Sequence, residues 1–326
     1  MDDQHLVSRR SSTGDWQEKE ERVFYGISIA ASLIQLFVFM GLIVAIWHRK
    51  GQSVEKGLIL RKYLLSSSIA YLLSGILSVI VGSMAAAPSP YSEIYIFPAM
   101  VQWFFYLLAL CMTFYILFRL AQLFQQRSMG GSSRKLGRMH MFSLAVVVLA
   151  SLLEWIFYVV YICQGQRIFS HRIFYDTYHW SGCVRQLVHW LASLQVLIQA
   201  IFATVRSYKM DRQVSRSATL FLISSTAFFA INVFWSVIFI DWSIVHWLRN
   251  ELPHNVYPIK LFAAVFEPVC TVIAYVCLLK CCSQLVLYKA FNSHHSDTGL
   301  VFGHLGSRDD QPYLSVLHHA PHTTQL

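Results

Sequence analysis

Two carboxylates stand inside apolar stretches of this sequence, where an acid is costly to keep. Glu154 interrupts SLLEWIFYVVYIC, residues 151–163, and Glu267 follows an apolar run that begins near Ile259. An ionised group in the middle of a lipid bilayer costs about 2.5–3.5 kcal/mol on insertion scales, so it normally faces the interior of a helix bundle and has a partner. If these stretches cross a membrane, the two acids therefore mark an internal polar site.

Three further polar residues are predicted at the depth of the two acids. Since an α-helix rises about 1.5 Å per residue, Glu154 lies roughly 13 Å and Glu267 roughly 12 Å from the nearer end of its predicted helix. Gln102, His189 and Asn232 come out between roughly 9 and 12 Å from the same side. Five predicted helices thus each bring one polar side chain to a common layer.

Arg185 completes the predicted ligand-binding set. It lies one turn before His189 on the same face of its helix, near the mouth of the layer, and is the predicted counter-ion for either glutamate. The six residues predict a water-accessible or ligand-holding cavity. The alternative is that each group is a structural contact, satisfied by a hydroxyl or carbonyl on a neighbouring helix. For Asn232 and Gln102, taken singly, that alternative is favoured.

The composition predicts a membrane protein. Of the 326 residues, 56% are hydrophobic and only 13% are charged, whereas soluble domains carry about 25% charged residues. The net charge of +9 indicates positive flanks that face the cytoplasm and anionic lipid. Because the basic residues are scattered over short loops rather than clustered on one module, no nucleic-acid partner is predicted.

Seven apolar stretches are long enough to cross a bilayer, which needs roughly 20 residues per helix. They cover residues 23–47, 63–86, 94–124, 141–163, 183–206, 218–240 and 259–279. The sequence therefore predicts an all-α fold, a polytopic seven-transmembrane-helix bundle over residues 23–291 that ends in a juxtamembrane segment, 281–291. Residues 1–22 are predicted to form a polar N-terminal tail and residues 292–326 a disordered C-terminal tail, because neither shows periodic apolar patterning.

Lys and Arg in the short loops predict the orientation. The first, third and fifth loops hold twelve of these residues, against three in the second, fourth and sixth. The odd loops are therefore predicted to be cytoplasmic, with the N-terminus outside or lumenal and the C-terminus in the cytoplasm. The basic residues of the N-terminal tail indicate the opposite orientation, but the loops carry more weight.

The cysteines suggest two modifications. Cys163 and Cys183 bracket the fourth loop, where an oxidising compartment would permit a disulfide that closes a roughly 20-residue loop, typically worth about 3 kcal/mol. Cys281 and Cys282 lie at the inner end of the seventh span, where juxtamembrane cysteines can be palmitoylated. No metal and no cofactor are predicted.

The fourth loop, QGQRIFSHRIFYDTYHWSG, is crowded with aromatic and histidine side chains. Such residues usually form an interfacial belt at the membrane surface. A lid over the cavity is the alternative.

Seven spans, an outside N-terminus and short loops resemble the layout of G-protein-coupled receptors, over about residues 23–291. Where rhodopsin-like receptors have an acid-Arg-aromatic triplet, this chain has Phe118-Arg119-Leu120, so one residue of three matches. Where they have Asn-Pro-x-x-Tyr, this chain has Glu267-Pro268 and, further on, Tyr275. The resemblance implies a ligand site within the bundle and a signalling partner on the cytoplasmic side.

In its number of spans the chain also resembles small seven-helix terpenoid cyclases of fungi. These enzymes use buried carboxylic acids to protonate an epoxide or alkene, so the resemblance implies catalytic roles for Glu154 and Glu267. Aromatic faces would stabilise carbocations. The candidate cavity walls are Trp103, Trp155, Trp190 and Trp235.

The leading hypothesis is receptor-like sensing of a small or lipidic ligand, with the basic loops contacting a cytoplasmic signalling partner. An intramembrane acid-catalysed enzyme and a proton-coupled transporter are the alternatives. The chain carries no phosphate-binding Gly-rich loop, no H-E-x-x-H and no G-x-S-x-G. Membrane lipids are the expected surroundings, in the plasma membrane or an endomembrane.

Overall fold

The computed structural model describes residues 3–48, 55–85, 96–129, 134–164, 171–208, 212–241 and 256–305, and within these ranges it is all-α without strands. The helices are α1 (Asp3–His48), α2 (Glu55–Ala85), α3 (Ile96–Met129), α4 (Arg134–Gln164), α5 (His171–Ser207), α6 (Arg212–Ile240) and α7 (Val256–Leu305). Each of these seven contains a stretch long and apolar enough to cross a membrane. The predicted seven-helix membrane fold is confirmed.

Several helices reach beyond the predicted spans. α5 begins at His171 rather than near residue 183, so the second half of the predicted fourth loop is helical. α1 begins at Asp3 and α7 continues to Leu305, through segments that the sequence predicts as tails. Polar residues can extend a helix past its apolar stretch because the backbone hydrogen bonds of a helix are satisfied within the segment.

The helices form a closed ring with α3 near its centre. Consecutive helices pack against one another, α7 packs against α1, and α3 contacts α5 and α6 in addition to its neighbours in the chain. Phe114 of α3 makes edge contacts with the rings of His189 on α5 and Phe228 on α6, at centroid distances of 5.2 and 4.9 Å. Since lipid tails are as apolar as these side chains, close packing of this kind and hydrogen bonds hold the bundle together.

One end of the bundle carries exposed basic side chains and is called the basic end below. Arg138, Arg206 and Arg216 are exposed there, at the start of α4, the end of α5 and the start of α6. Arg61 of α2 donates hydrogen bonds to the carbonyl oxygens of Ile46 and Trp47, near the end of α1. The opposite end is called the cavity end. Which end faces the cytoplasm stays a prediction.

Three buried hydroxyl groups join α2, α3 and α7 inside the bundle. Oγ1 of Thr113 lies 2.7 Å from the phenolic oxygen of Tyr275, and Oγ of Ser67 contacts the same phenolic oxygen. Ser67 and Thr113 also donate to the carbonyl oxygen of Ala109, at 3.0 and 2.8 Å. These contacts link the three helices in the interior of the bundle.

Candidate functional site

An ion pair joins α4 to α5 in the interior. Nε of Arg185 contacts the carboxylate of Glu154, and the two side chains are only 4% and 1% exposed. Helix α5 can approach this closely because residue 182 is glycine: a Cβ atom there would come within 3.2 Å of Oε1 of Glu154. The buried acid of α4 thus has a partner, as an ion within a membrane requires.

His189 extends this pair along α5. Its Nδ1 lies 3.4 Å from a guanidinium nitrogen of Arg185, and its Nε2 lies 3.0 Å from Oγ of Ser151 on α4. Ser151 donates its own proton to the carbonyl oxygen of Val147, at 2.9 Å, so its oxygen accepts from Nε2. Because the guanidinium only donates, Nδ1 is the accepting nitrogen. The contacts therefore fit a neutral imidazole.

Glu267 connects three helices at the cavity end. The hydroxyl of Tyr106 on α3 donates to Oε1 at 2.8 Å, and Nε1 of Trp235 on α6 donates to Oε2 at 2.9 Å. Indole N–H is a donor only. Each carboxylate oxygen therefore accepts one hydrogen bond, and α7 is linked through a single side chain to both α3 and α6.

A cavity of about 560 Å³ lies beside Glu267 and Arg185. Six of the seven helices contribute to its wall, and α4 contacts the lining through Glu154, which pairs with Arg185, and through Tyr158, whose ring lies 5.9 Å from that of Trp103. This volume falls in the range of small-molecule sites, which are mostly apolar with a few placed polar groups. The polar lining residues other than the two ions are Ser28, Ser32, Gln35, Ser74, Ser78, Gln102 and Gln186.

Aromatic rings form much of the remaining wall. Trp103 stacks on Tyr106 at a centroid distance of 5.2 Å, and the guanidinium of Arg185 lies 5.9 Å from the centroid of the Trp103 ring. Tyr71 also lines the cavity, and its ring makes edge contacts with the rings of Tyr106 and Tyr275. Two lining residues, Ser28 and Trp103, keep a buried side-chain polar atom without a hydrogen-bond partner in the described part of the chain.

The six predicted residues divide into three groups. The cavity is lined by Gln102, Arg185 and Glu267. Arg185 is also contacted by Glu154 and His189, which are not among the described lining residues. Asn232 is buried but its amide donates to the carbonyl oxygen of Phe228 on its own helix, at 2.8 Å. It is not among the described residues that line the cavity, and its contacts fit the structural alternative. Binding of a ligand by the others stays a prediction.

Pro268 lies in the cavity wall next to Glu267. Proline has no backbone N–H, so it cannot donate to the carbonyl of Ala264, four residues earlier on α7. Ala264 also lines the cavity. The carbonyl that this proline releases from the helix ladder therefore lies at the cavity itself, near the acid.

Sequence reasoning missed several residues of this site. Tyr106 follows Gln102 by four positions, which places both on one face of α3. The same spacing relates Ser28 to Ser32 on α1 and Ser74 to Ser78 on α2, and all four serines line the cavity. A search for polar side chains at intervals of three and four would have found these stripes. Gly182 gave no such signal, because its role depends on the approach of another helix.

The four cysteines for which the sequence suggests a modification are free thiols in the structure. Cys163 and Cys183 are thiols rather than a disulfide in this structure, with Cys163 exposed and Cys183 buried. The early start of α5 is the reason: it places Cys183 well inside the bundle, whereas Cys163 lies at the end of α4. Cys281 and Cys282 are also buried, and Cys281 donates to the carbonyl oxygen of Ser217 at 3.4 Å. Acylation of either would require its side chain to turn outward.

No protein-family model matches the chain, and no curated protein or solved structure matches it either. Neither the receptor nor the cyclase resemblance is therefore supported by a family match. The seven apolar helices establish a multi-pass membrane protein.

Proposed function

We propose that this protein is a receptor-type sensor that binds a small or lipidic ligand in the cavity among its helices. The observation that carries the proposal is the cavity itself, which is large enough for a small molecule and places Glu267 and Arg185 in its wall. In the proposed orientation it opens toward the extracellular or lumenal side, and the basic end contacts a cytoplasmic signalling partner.

Glu267 provides a route from ligand to signal. A ligand that hydrogen-bonds to this carboxylate shares its oxygens with Tyr106 and Trp235, which weakens their hydrogen bonds and loosens the links of α7 to α3 and α6. Helix α6 begins at Arg212, at the basic end of the bundle, and Trp235 lies toward its opposite end. A tilt of α6 would therefore move the basic residues that we propose as the partner's binding surface. A ligand shifts such an equilibrium only by its difference in affinity for the two states.

The contacts favour sensing over acid catalysis. A general acid must hold a proton to deliver, but Glu154 is paired with a guanidinium and both oxygens of Glu267 accept hydrogen bonds. Glu154 is thus held as the partner of a cation, and both oxygens of Glu267 are engaged by donors. The enzyme alternative would need one of them to leave its partners before each turnover.

The test compares three variants of the full-length protein in its own cells. Glu267→Gln alters the cavity, and a triple Lys209→Ala, Arg212→Ala, Arg216→Ala variant alters the predicted fifth loop at the basic end. Asp176→Asn, a carboxylate on α5 that does not line the cavity in the described structure, is the matched control. Second-messenger levels, metabolite profiles and proton-dependent uptake are measured for each variant at equal membrane abundance.

A receptor predicts that both the cavity and the basic-end variants lose the signalling response, while the control keeps it. Loss of one metabolite in Glu267→Gln cells, with the basic-end variant unaffected, would instead identify an enzyme. Uptake that depends on pH and disappears with Glu267 would identify a transporter. Unchanged output in all three measurements would contradict the proposed function.

A further inference from the structure

The charges at the cavity are unequal. Among the residues that the structure describes, two carboxylates, Glu154 and Glu267, reach this region, but only one guanidinium, that of Arg185, does. Arg185 is in contact with Glu154, and the contacts of His189 fit its neutral form. Within the described residues, no Lys, Arg or His nitrogen is recorded within ion-pair distance of Glu267. An ionised Glu267 would therefore place at the cavity wall a negative charge that no described cation pairs with.

Glu267 also has unused hydrogen-bonding capacity. An ionised carboxylate offers about four lone-pair sites, and Tyr106 and Trp235 occupy one on each oxygen. The side chain is partly exposed and lines the cavity. Its remaining acceptor sites are thus open to a donor that enters the cavity.

Aromatic rings line the same cavity as this carboxylate. Tyr71, Tyr106, Trp235 and Phe239 all line the cavity. The faces of such rings attract cations, with estimates from about 0.5 kcal/mol at exposed sites to about 2 kcal/mol or more where water is excluded. Trp103 already lies near the guanidinium of Arg185, which leaves the other rings for a ligand.

We propose that the ligand of this cavity is an organic monocation, a protonated or quaternary amine with an apolar body, whose charged nitrogen binds beside Glu267 among the aromatic rings. The inference rests on the proposed function, since it names the ligand class of the same cavity. An organic anion would face an unpaired carboxylate and an arginine that is already in contact with an acid. A neutral ligand would leave the charge of Glu267 uncompensated in a region of low dielectric constant, where charges interact strongly.

The experiment uses the purified full-length protein in lipid nanodiscs and three probes of similar size. These are benzyltrimethylammonium, its uncharged carbon isostere neopentylbenzene, and benzenesulfonate. Saturable change in tryptophan fluorescence reports binding, because Trp103 and Trp235 line the cavity, and a shift in melting temperature reports stabilisation. The variants are Glu267→Gln, the charge-retaining Glu267→Asp, the cavity-filling Ala264→Phe and the control Asp176→Asn, each with its own melting curve.

The expected result is saturable binding of benzyltrimethylammonium, at least about tenfold tighter than that of either other probe, a difference of about 1.4 kcal/mol. Glu267→Gln should weaken it by at least about tenfold, Glu267→Asp should weaken it less, Ala264→Phe should block it, and Asp176→Asn should leave it unchanged.

Equal binding of the neutral isostere, undiminished binding to Glu267→Gln, or binding that Ala264→Phe does not affect would overturn the inference. Isostere binding that Ala264→Phe blocks would leave the proposed function standing, because the cavity would still take a ligand. If no probe binds saturably, the monocation inference fails, and the proposed function is then decided by the comparison of cell variants.

Discussion

The carboxylate of Glu154 lies so close to Gly182 that a side chain at this position of α5 would crowd it. A Cβ atom there would come within 3.2 Å of Oε1 of Glu154 and 3.6 Å of a ring carbon of Phe239. A glycine inside a helix usually costs about 1 kcal/mol relative to alanine. Here its small size lets α4 and α5 bring Glu154 and Arg185 together in the interior.

Replacing Gly182 by valine should therefore destabilise the bundle strongly. The added atoms would push Glu154 away from Arg185, and leaving one member of a buried ion pair without its partner typically costs about 3–5 kcal/mol. Thermal unfolding in detergent measures the effect. Gly41→Val is the matched control, because a Cβ atom at Gly41 of α1 meets nothing within 4 Å. Equal melting temperatures for the two variants would contradict the proposed contact.

The ion pair between Glu154 and Arg185 should behave as a coupled unit. We expect Glu154→Gln and Arg185→Met each to lower stability by about 3–5 kcal/mol, because each leaves one buried charge unpaired. The double variant should lose much less than the sum, since no charge is left behind. A double-mutant cycle on unfolding free energies measures the coupling. Additive losses would mean that the two side chains do not interact in the folded protein.

Tyr106 and Trp235 should each stabilise the folded protein through a hydrogen bond to Glu267. Tyr106→Phe and Trp235→Phe remove one donor apiece, and a hydrogen bond to a charged group contributes about 1.5–3 kcal/mol. The losses should largely disappear when the same substitutions are made in a Glu267→Gln background. Tyr208→Phe and Trp180→Phe are the controls, since both residues are exposed. The readout is again the unfolding free energy, and losses that persist without the carboxylate would contradict the predicted role.

The buried hydroxyl of Tyr275 should matter for stability but not for ligand binding. Tyr275→Phe keeps the ring contacts with Phe39 and Tyr71 and removes only the contacts with Ser67 and Thr113. Both partners retain the carbonyl of Ala109, so a loss of about 0.5–1.5 kcal/mol is expected. Titration with benzyltrimethylammonium checks the binding, and melting curves of the same samples check the stability. A large loss of binding with little loss of stability would assign this hydroxyl to the site instead.

The cysteines should differ in their reaction with a polar maleimide applied to the folded protein. Cys163 is exposed and should react first, whereas Cys183, Cys281 and Cys282 are buried and should react only on unfolding. Peptide mass spectrometry quantifies each site. Recovery of a peptide cross-linked between Cys163 and Cys183 would show that the start of α5 differs from the structure. Acyl groups on Cys281 or Cys282 would show that α7 near these two residues differs from the structure.

The fold was predictable from the lengths of the apolar stretches, because few other structures satisfy the backbone in lipid. The start of α5 was not, since histidines and aromatic residues before residue 183 are equally typical of an interfacial loop. The depth of a residue along its helix follows from its number in the sequence. This depth placed Arg185 near the level of Glu154 and Glu267. Direction around the helix axis depends on packing. The sequence therefore could not show that Arg185 contacts Glu154, or that Asn232 turns to its own backbone.

The pairing of α4 with α5 also bears on how the chain enters the membrane. Glu154 and Arg185 belong to consecutive helices, and only six residues separate Gln164 from His171. A lone α4 or α5 would carry an ion into lipid at a cost of about 2.5–3.5 kcal/mol each. Insertion of the two segments together as a hairpin lets the opposite charges neutralise each other during synthesis. We therefore expect the fourth segment to stay at the translocon until the fifth has emerged.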